Sequence, residues 1–462
     1  LAGFWTKQVN AMFTRRESAL RKAFALVCAS FPALSCGHRF MRVTTKRAPT
    51  GCYGDAVSTT PFDRRDTAEA PINLSSLGRV RVLQALTGGA GLSRADLVQL
   101  TGLARTTVGS VVYDLIGAGI VLETTDPSST GARTGRPPQL LSLAPGAGYA
   151  IGLDVGHDHV RAILTDLVGT SRWDRTAPVA VDADPDRALT LAVDLIDRAI
   201  AEAGVPRSKI LGVGMGIACP VDASSGELYA DGIMPGWVGV RPTDELAART
   251  GLAVRIVNDA NAGVLAERRF GAARDCADVV YVRLSSGIGA GVLCDGRMLL
   301  GRHGLAGELG HVPVEPNGAL CRCGNRGCLE TVASPLAIAD LLARSWGRPV
   351  SAADLTDLLR AGDRGTLRAM EDAGDAVGRA LAVIVTLLNP ELIVVGGDLV
   401  VAGEVLFEPM RRTLRRNTMA AHGTDLRIVP SALGDSAGVR GAAALVLDEV
   451  PERLGLEPPS AA

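Results

Sequence analysis

Residues 304–330 read GLAGELGHVPVEPNGALCRCGNRGCLE. His311, Cys321, Cys323 and Cys328 fall within this stretch, together with Glu308, Glu315 and Glu330. A Cys-x-Cys pair followed by a third thiol, with a histidine nearby, suits the tetrahedral Cys3His shell of structural zinc. Gly324 and Gly327 let the backbone wrap tightly around an ion. Four protein ligands would close the shell, so the metal is expected to shape a loop rather than to perform catalysis. The chain carries nine cysteines, an odd number. That count and the clustering argue for metal ligation in a reducing, cytoplasmic compartment rather than for a disulfide framework.

Upstream, residues 254–263 read VRIVNDANAG. An Asn-Asp pair after an apolar strand puts a carboxylate at a strand end, where α/β folds place their chemistry. Asp259 is positioned to accept a proton from a hydroxyl, as phosphoryl transfer requires. Asn258, Glu308 and Glu330 supply further hydrogen-bonding groups for a polyhydroxylated ligand. The competing reading of the pair is an Asx turn that caps the next helix. Two glycine-turn hairpins, YAIGLDVGHDHVRAILTDLVG (149–169) and VVYVRLSSGIGAGVLCDGRMLLG (279–301), look like one unit used twice. Helical patterns such as ALTLAVDLIDRAIAEAG and AVGRALAVIVTLLNP fill the intervals. The expectation is a duplicated α/β architecture with two lobes and a cleft between them.

Residues 75–143 have a different organisation. Val80, Val82, Leu83 and Leu86 give the first helix its apolar face. Ser93 and Asp96 form a capping-box pattern, and Gly102 ends that second helix. A third helix turns Val108, Val111, Val112, Leu115 and Ile116 inward and leaves Arg105, Thr106, Thr107, Ser110 and Tyr113 outward. Short polar groups with one arginine are the chemistry that meets base edges and phosphates in a major groove. Two strands then flank a polar loop with Arg133 and Arg136 beside Pro137 and Pro138, a wing able to enter a minor groove. A winged helix-turn-helix is therefore expected, with double-stranded operator DNA as partner. Net charge is −1, so any nucleic-acid surface must be local.

Nothing approaches the ~20 apolar residues of a membrane span. Arg15, Arg16, Arg21 and Lys22 ahead of the apolar stretch 23–34 mimic a signal peptide, but a DNA-reading pattern follows. The chain begins with Leu and Met41 lies inside it. Residues 1–74 read as a disordered leader or a mis-assigned start, and 451–462 as a tail.

From residue 77 to 450 the chain resembles the ROK family of repressors and sugar kinases. Residues 304–330 resemble the family signature, metal ligands included. The resemblance implies an actin-like, ribonuclease-H-like ATPase fold over 147–450. It implies sugar contacts from Gly216, Asn258, Asp259, Glu308, His311 and Glu330, with Asp259 as catalytic base in members that are kinases. His311 would serve zinc through one ring nitrogen and the sugar through the other. A homodimer is likewise expected from the family and from palindromic operators.

The sequence departs from the kinase pattern at the phosphate sites. Family kinases carry Asp-x-Gly-Gly-Thr-Lys in the first hairpin turn; here residues 154–159 read DVGHDH. Asp158 is expected to face ATP phosphates with like charge. Ser286 stands where Thr is common, and Asp398 follows Gly396 and Gly397 where kinases keep a third glycine. The sugar pocket reads as intact and the ATP–magnesium pocket as damaged. A sensor of sugar or sugar phosphate that represses carbohydrate genes is therefore expected, not an enzyme. The alternatives are an active ATP-dependent hexose kinase with an extra N-terminal domain, and a protein-docking module.

Overall fold

The computed structural model describes residues 74–87, 91–125, 139–423 and 425–456. All of them belong to the compact unit Glu69–Ala462. The proposed leader and the wing tip, with Arg133 and Arg136, lie outside the described residues.

The chain opens with α1 (Leu74–Leu86), α2 (Arg94–Thr101) and α3 (Arg105–Gly117), followed by the ribbon β1 (Val121–Thr125) and β2 (Gln139–Leu143). The capping box at α2 forms as its sequence predicts. The Ser93 hydroxyl accepts from the Asp96 amide, and the Asp96 carboxylate accepts from the Ser93 amide at 2.8 Å. Gly102, at φ +67°, ends the helix. Strands β1 and β2 pair antiparallel from Val121↔Leu143 to Thr125↔Gln139. Leu83, Leu97, Val112 and Leu141 are fully buried between helices and ribbon.

Two five-stranded sheets follow. The first contains β3 (Tyr149–Val155), β4 (His159–Asp166), β5 (Ser171–Pro178), then after α4 (Pro185–Glu202) the strand β6 (Ile210–Ile217), and after α5 (Pro242–Thr250) the strand β7 (Val254–Asn258). Next comes α6 (Asp259–Phe270). The second sheet contains β8 (Val279–Leu284), β9 (Ile288–Cys294) and β10 (Arg297–Met298). The segment α7 (Glu330–Ala333), α8 (Pro335–Trp346), α9 (Asp354–Arg360) and α10 (Arg364–Leu388) then leads to β11 (Leu392–Gly396), α11 (Glu404–Asn417) and β12 (Arg427–Pro430). The chain closes with α12 (Ala437–Asp448) and α13 (Val450–Leu456).

The strand orders are β5-β4-β3-β6-β7 and β10-β9-β8-β11-β12. In each sheet the first three strands in sequence pair antiparallel and the last two add in parallel. The two hairpins thus seed two copies of one topology, and each copy becomes a lobe. Helix α4 buries Leu189, Leu195 and Ile196 against the first sheet, while α10 and α11 cover the second.

Helices α6 and α12 fill the layer between the sheets, and glycine decides how closely. On β6, Gly212, Gly214 and Gly216 recur every second residue and so share one face. A Cβ on Gly214 would lie 1.8 Å from the Ala442 carbonyl oxygen of α12, and one on Gly441 would lie 1.7 Å from the Ala262 carbonyl oxygen of α6. The far ends of both helices reach the N-terminal elements. Val446, Leu447 and Val450 share one core with α1–α3 and the ribbon, and Phe270 packs against it. Gln84 of α1 donates to Glu452 of α13 at 3.0 Å.

Candidate functional site

The cleft between the lobes collects side chains from both sheets. Strand β7 ends at Asn258, whose side-chain oxygen accepts from the Ala260 amide at 2.9 Å and caps α6. Its amide nitrogen donates to the Cys219 carbonyl at 3.3 Å. The Asx cap and the ligand-facing reading are therefore compatible, because the cap presents Asp259 at the helix start. Asp259 Oδ2 lies 3.0 Å from Arg283 Nε, which projects from β8 in the other lobe. Burial pushes the Asp259 carboxyl above its usual range, and Arg283 opposes that rise.

Asn258, Asp259, Glu308, His311 and Glu330 line a single cavity with His157 and Cys219. Gly216 is not among its lining residues: it sits inside β6, against Ala262 of α6. Glu330 accepts from the Ile288 amide at 3.1 Å and pairs with Arg322 at 3.0 Å. Burial, followed by the nearby Asp259 and Glu330 charges, raises the Glu308 carboxyl to about 7.

Next to this cavity lies a second, lined by Asp154, His159, Arg161, Ser285, Asp398 and Asp435, with Arg283 on both walls. Asp154 is buried, and its Oδ1 makes no hydrogen bond among the described residues. Asp158 lies beside this space, close enough for its charge to act on Asp398. It sits at the hairpin tip, its side chain 91% exposed, and holds His159 Nδ1 at 2.8 Å. The buried acid here is Asp154.

The metal cluster assembles from one short segment. One donor atom from each of His311, Cys321, Cys323 and Cys328 lies within 4.8 Å of all the others. Cys321 Sγ is 3.5 Å from His311 Nδ1, and Cys323 Sγ is 3.6 Å from Cys328 Sγ. A tetrahedral shell with metal–sulfur bonds near 2.3 Å needs donor separations of about 3.8 Å, so the set fits a metal ion. Gly327, at φ +65°, is obligatory here, since a Cβ would overlap the Glu315 carbonyl oxygen. His311 Nε2 points the other way, 3.9 Å from Glu308.

Far from the cleft, α3 exposes Arg105, Thr106, Ser110 and Tyr113, with Thr107 half-buried. The sequence reading missed Arg283, Arg322 and the His157–Asp182 pair, 2.8 Å apart. Arg283 carried a usable signal. A lone arginine in the otherwise apolar strand VVYVRL is too costly to bury unpaired.

The ROK family profile matches residues 150–449. The chain belongs to the ROK family. The xylose repressor of Bacillus subtilis (strain 168) is 31% identical over 369 residues, 79% of this chain and 94% of that protein. Thermotoga maritima glucokinase is 40% identical over 252 residues, 52% of this chain and 80% of the kinase. The crystal structure of a ROK family transcriptional regulator, a homologue of the E. coli MLC protein, superposes with a TM-score of 0.70 at 28% identity. It covers 83% of this chain and 99% of that one. The two-lobed part is thus the actin-like kinase fold of ROK proteins. The repressor similarity extends over more of the chain than the kinase similarity does. Among the described residues no helix is long and apolar enough to cross a membrane.

Proposed function

We propose that this ROK protein is a sugar-responsive transcription regulator, a repressor of carbohydrate genes that binds operator DNA as a homodimer in the cytoplasm. The observation that carries the sensing half is the convergence of Asn258, Asp259, Glu308 and Glu330 on one cleft while Arg283 holds Asp259. A hydroxyl seeking Asp259 as its base would have to compete with Arg283 for the carboxylate, which counts against the hexose-kinase reading. Similarity to a protein named as a xylose repressor supports the same choice. In this reading His311, Cys321, Cys323 and Cys328 hold structural zinc, which fixes the loop carrying Glu308 and Glu330.

Residues 75–143 would serve as the winged helix-turn-helix, with α3 in the major groove and Arg133 and Arg136 on the wing. Arg105→Ala is expected to weaken operator binding by about 1–3 kcal/mol and to leave sugar binding unchanged. Fluorescence anisotropy against calorimetry separates the two effects.

The signal has a physical route. Helix α6 starts at Asp259 in the cleft and ends at Phe270, against the core shared with α1–α3. A sugar that moves Asp259 shifts a rigid rod whose other end touches the DNA-reading unit. Coupling of this kind is typically worth ~1–3 kcal/mol. Phe270→Ala should keep sugar affinity within about twofold, or ~0.4 kcal/mol, while the operator response to sugar disappears. An intact response in that variant would rule out this route.

The decisive experiment is calorimetric titration of the full chain with xylose, a panel of hexoses and ATP–magnesium, paired with operator binding. Sugar binding that alters operator affinity, without ATP binding, is expected. ATP binding with sugar phosphorylation that vanishes in Asp259→Asn would establish a kinase instead.

A further inference from the structure

Arg283 stands between two cavities. Its guanidinium lines the cleft pocket on one side and the pocket around Asp154 and Asp398 on the other. It comes from the second sheet and pairs with Asp259 at the end of the first, so the ion pair spans the lobes. This places a fixed positive charge between the bound sugar and the space a phosphoryl group would need.

The other cations of the cleft pocket are also committed. Arg322 is 3.0 Å from Glu330, and His157 is 2.8 Å from Asp182. The glycine turn at 286–289 is equally occupied: the Ile288 amide that a phosphate oxygen would seek already donates to Glu330. A phosphate dianion entering here would lose its hydration and find both arginines paired with carboxylates. A neutral polyol needs only acceptors and donors, which Asn258, Asp259 and Glu330 supply.

We infer that the effector is an uncharged sugar, because the ion pairs Arg283–Asp259 and Arg322–Glu330 leave the cleft pocket no uncommitted arginine among the described residues to hold a phosphate. This rests on the sugar-sensing reading and deepens it.

The test is a calorimetric comparison on the full chain, with metal content measured, of glucose, xylose and N-acetylglucosamine against glucose 6-phosphate, xylose 5-phosphate and N-acetylglucosamine 6-phosphate. At least one neutral sugar should bind, and its phosphate should bind at least about tenfold more weakly. Tighter binding of a phosphate would overturn the inference and leave the sugar-sensing reading standing. Binding of no compound in either set would defeat the sensing reading and this inference with it. Asp259→Asn removes the carboxylate that pairs with Arg283, and Glu330→Ala releases both Arg322 and the Ile288 amide. Each should raise the affinity ratio of phosphosugar to neutral sugar about tenfold, even where overall affinity falls. Equal weakening of both ligands in both variants, with the ratio unchanged, would mean these pairs serve structure alone.

Discussion

If His311, Cys321, Cys323 and Cys328 hold a metal and the cleft binds sugar, as proposed, Cys323→Ser is expected to strip the metal and lower sugar affinity by about 100-fold or more. Cys323 is the exposed member of the donor set, so the change removes a ligand without opening a cavity. The effect should reach the cavity because the cluster sits between Glu308 and Glu330, both of which line it. His311 lies three residues after Glu308, and Cys328 two residues before Glu330. The ion would add to the backbone hydrogen bonds that already tie the segment together, such as Leu329 N–H to Val312 O and Val314 N–H to Gly327 O. Disturbing even the outer groups around a metal typically costs 10–100-fold in affinity or activity, and a lost ligand belongs at or beyond the top of that range. Metal stoichiometry and calorimetry on the same preparation check the expectation. A variant that is metal-free but binds sugar normally would show that the cluster does not organise the pocket.

Gly441→Ala should destabilise the protein by roughly 3 kcal/mol, at the upper end of overpacking costs. The added methyl would meet a backbone carbonyl at 1.7 Å, and no rotamer change relieves a clash with backbone. Helices α6 and α12 would have to separate, yet each is pressed between the other and a sheet. The same substitution at Gly109 meets nothing within 4 Å inside the regular helix α3. There it should stabilise by about 0.5–1 kcal/mol, because glycine carries extra chain entropy in the unfolded state. Urea unfolding of the two variants therefore tests packing against propensity with one chemical change. Equal midpoints would show that the interlobe layer is not limited by glycine.

Much of the candidate site is local in sequence, and that is why it could be read early. The metal donors span residues 311–328, and Asn258 and Asp259 adjoin a strand end. Gly216 shows where such reading stops. Its position near the first lobe's strand ends resembles a ligand contact, but the pleat turns it toward α6 rather than toward the cleft.

What the sequence determined by itself are the features governed by short-range physics. Hydrophobic period set the helices and hairpins, Ser93 and Asp96 set the start of α2, and ligand spacing assembled the Cys3His knot. The tertiary structure alone decided the rest. Arg283 met Asp259 only because two separately formed sheets came together, and α12 reached β3 and β6 only after the chain had crossed the second lobe and returned. The junction of α13 with α1 joins residues 368 positions apart. Such pairings depend on which surfaces remain to be buried once the local elements exist. No window of sequence contains that information, because the stabilising partner is supplied by the folded chain as a whole.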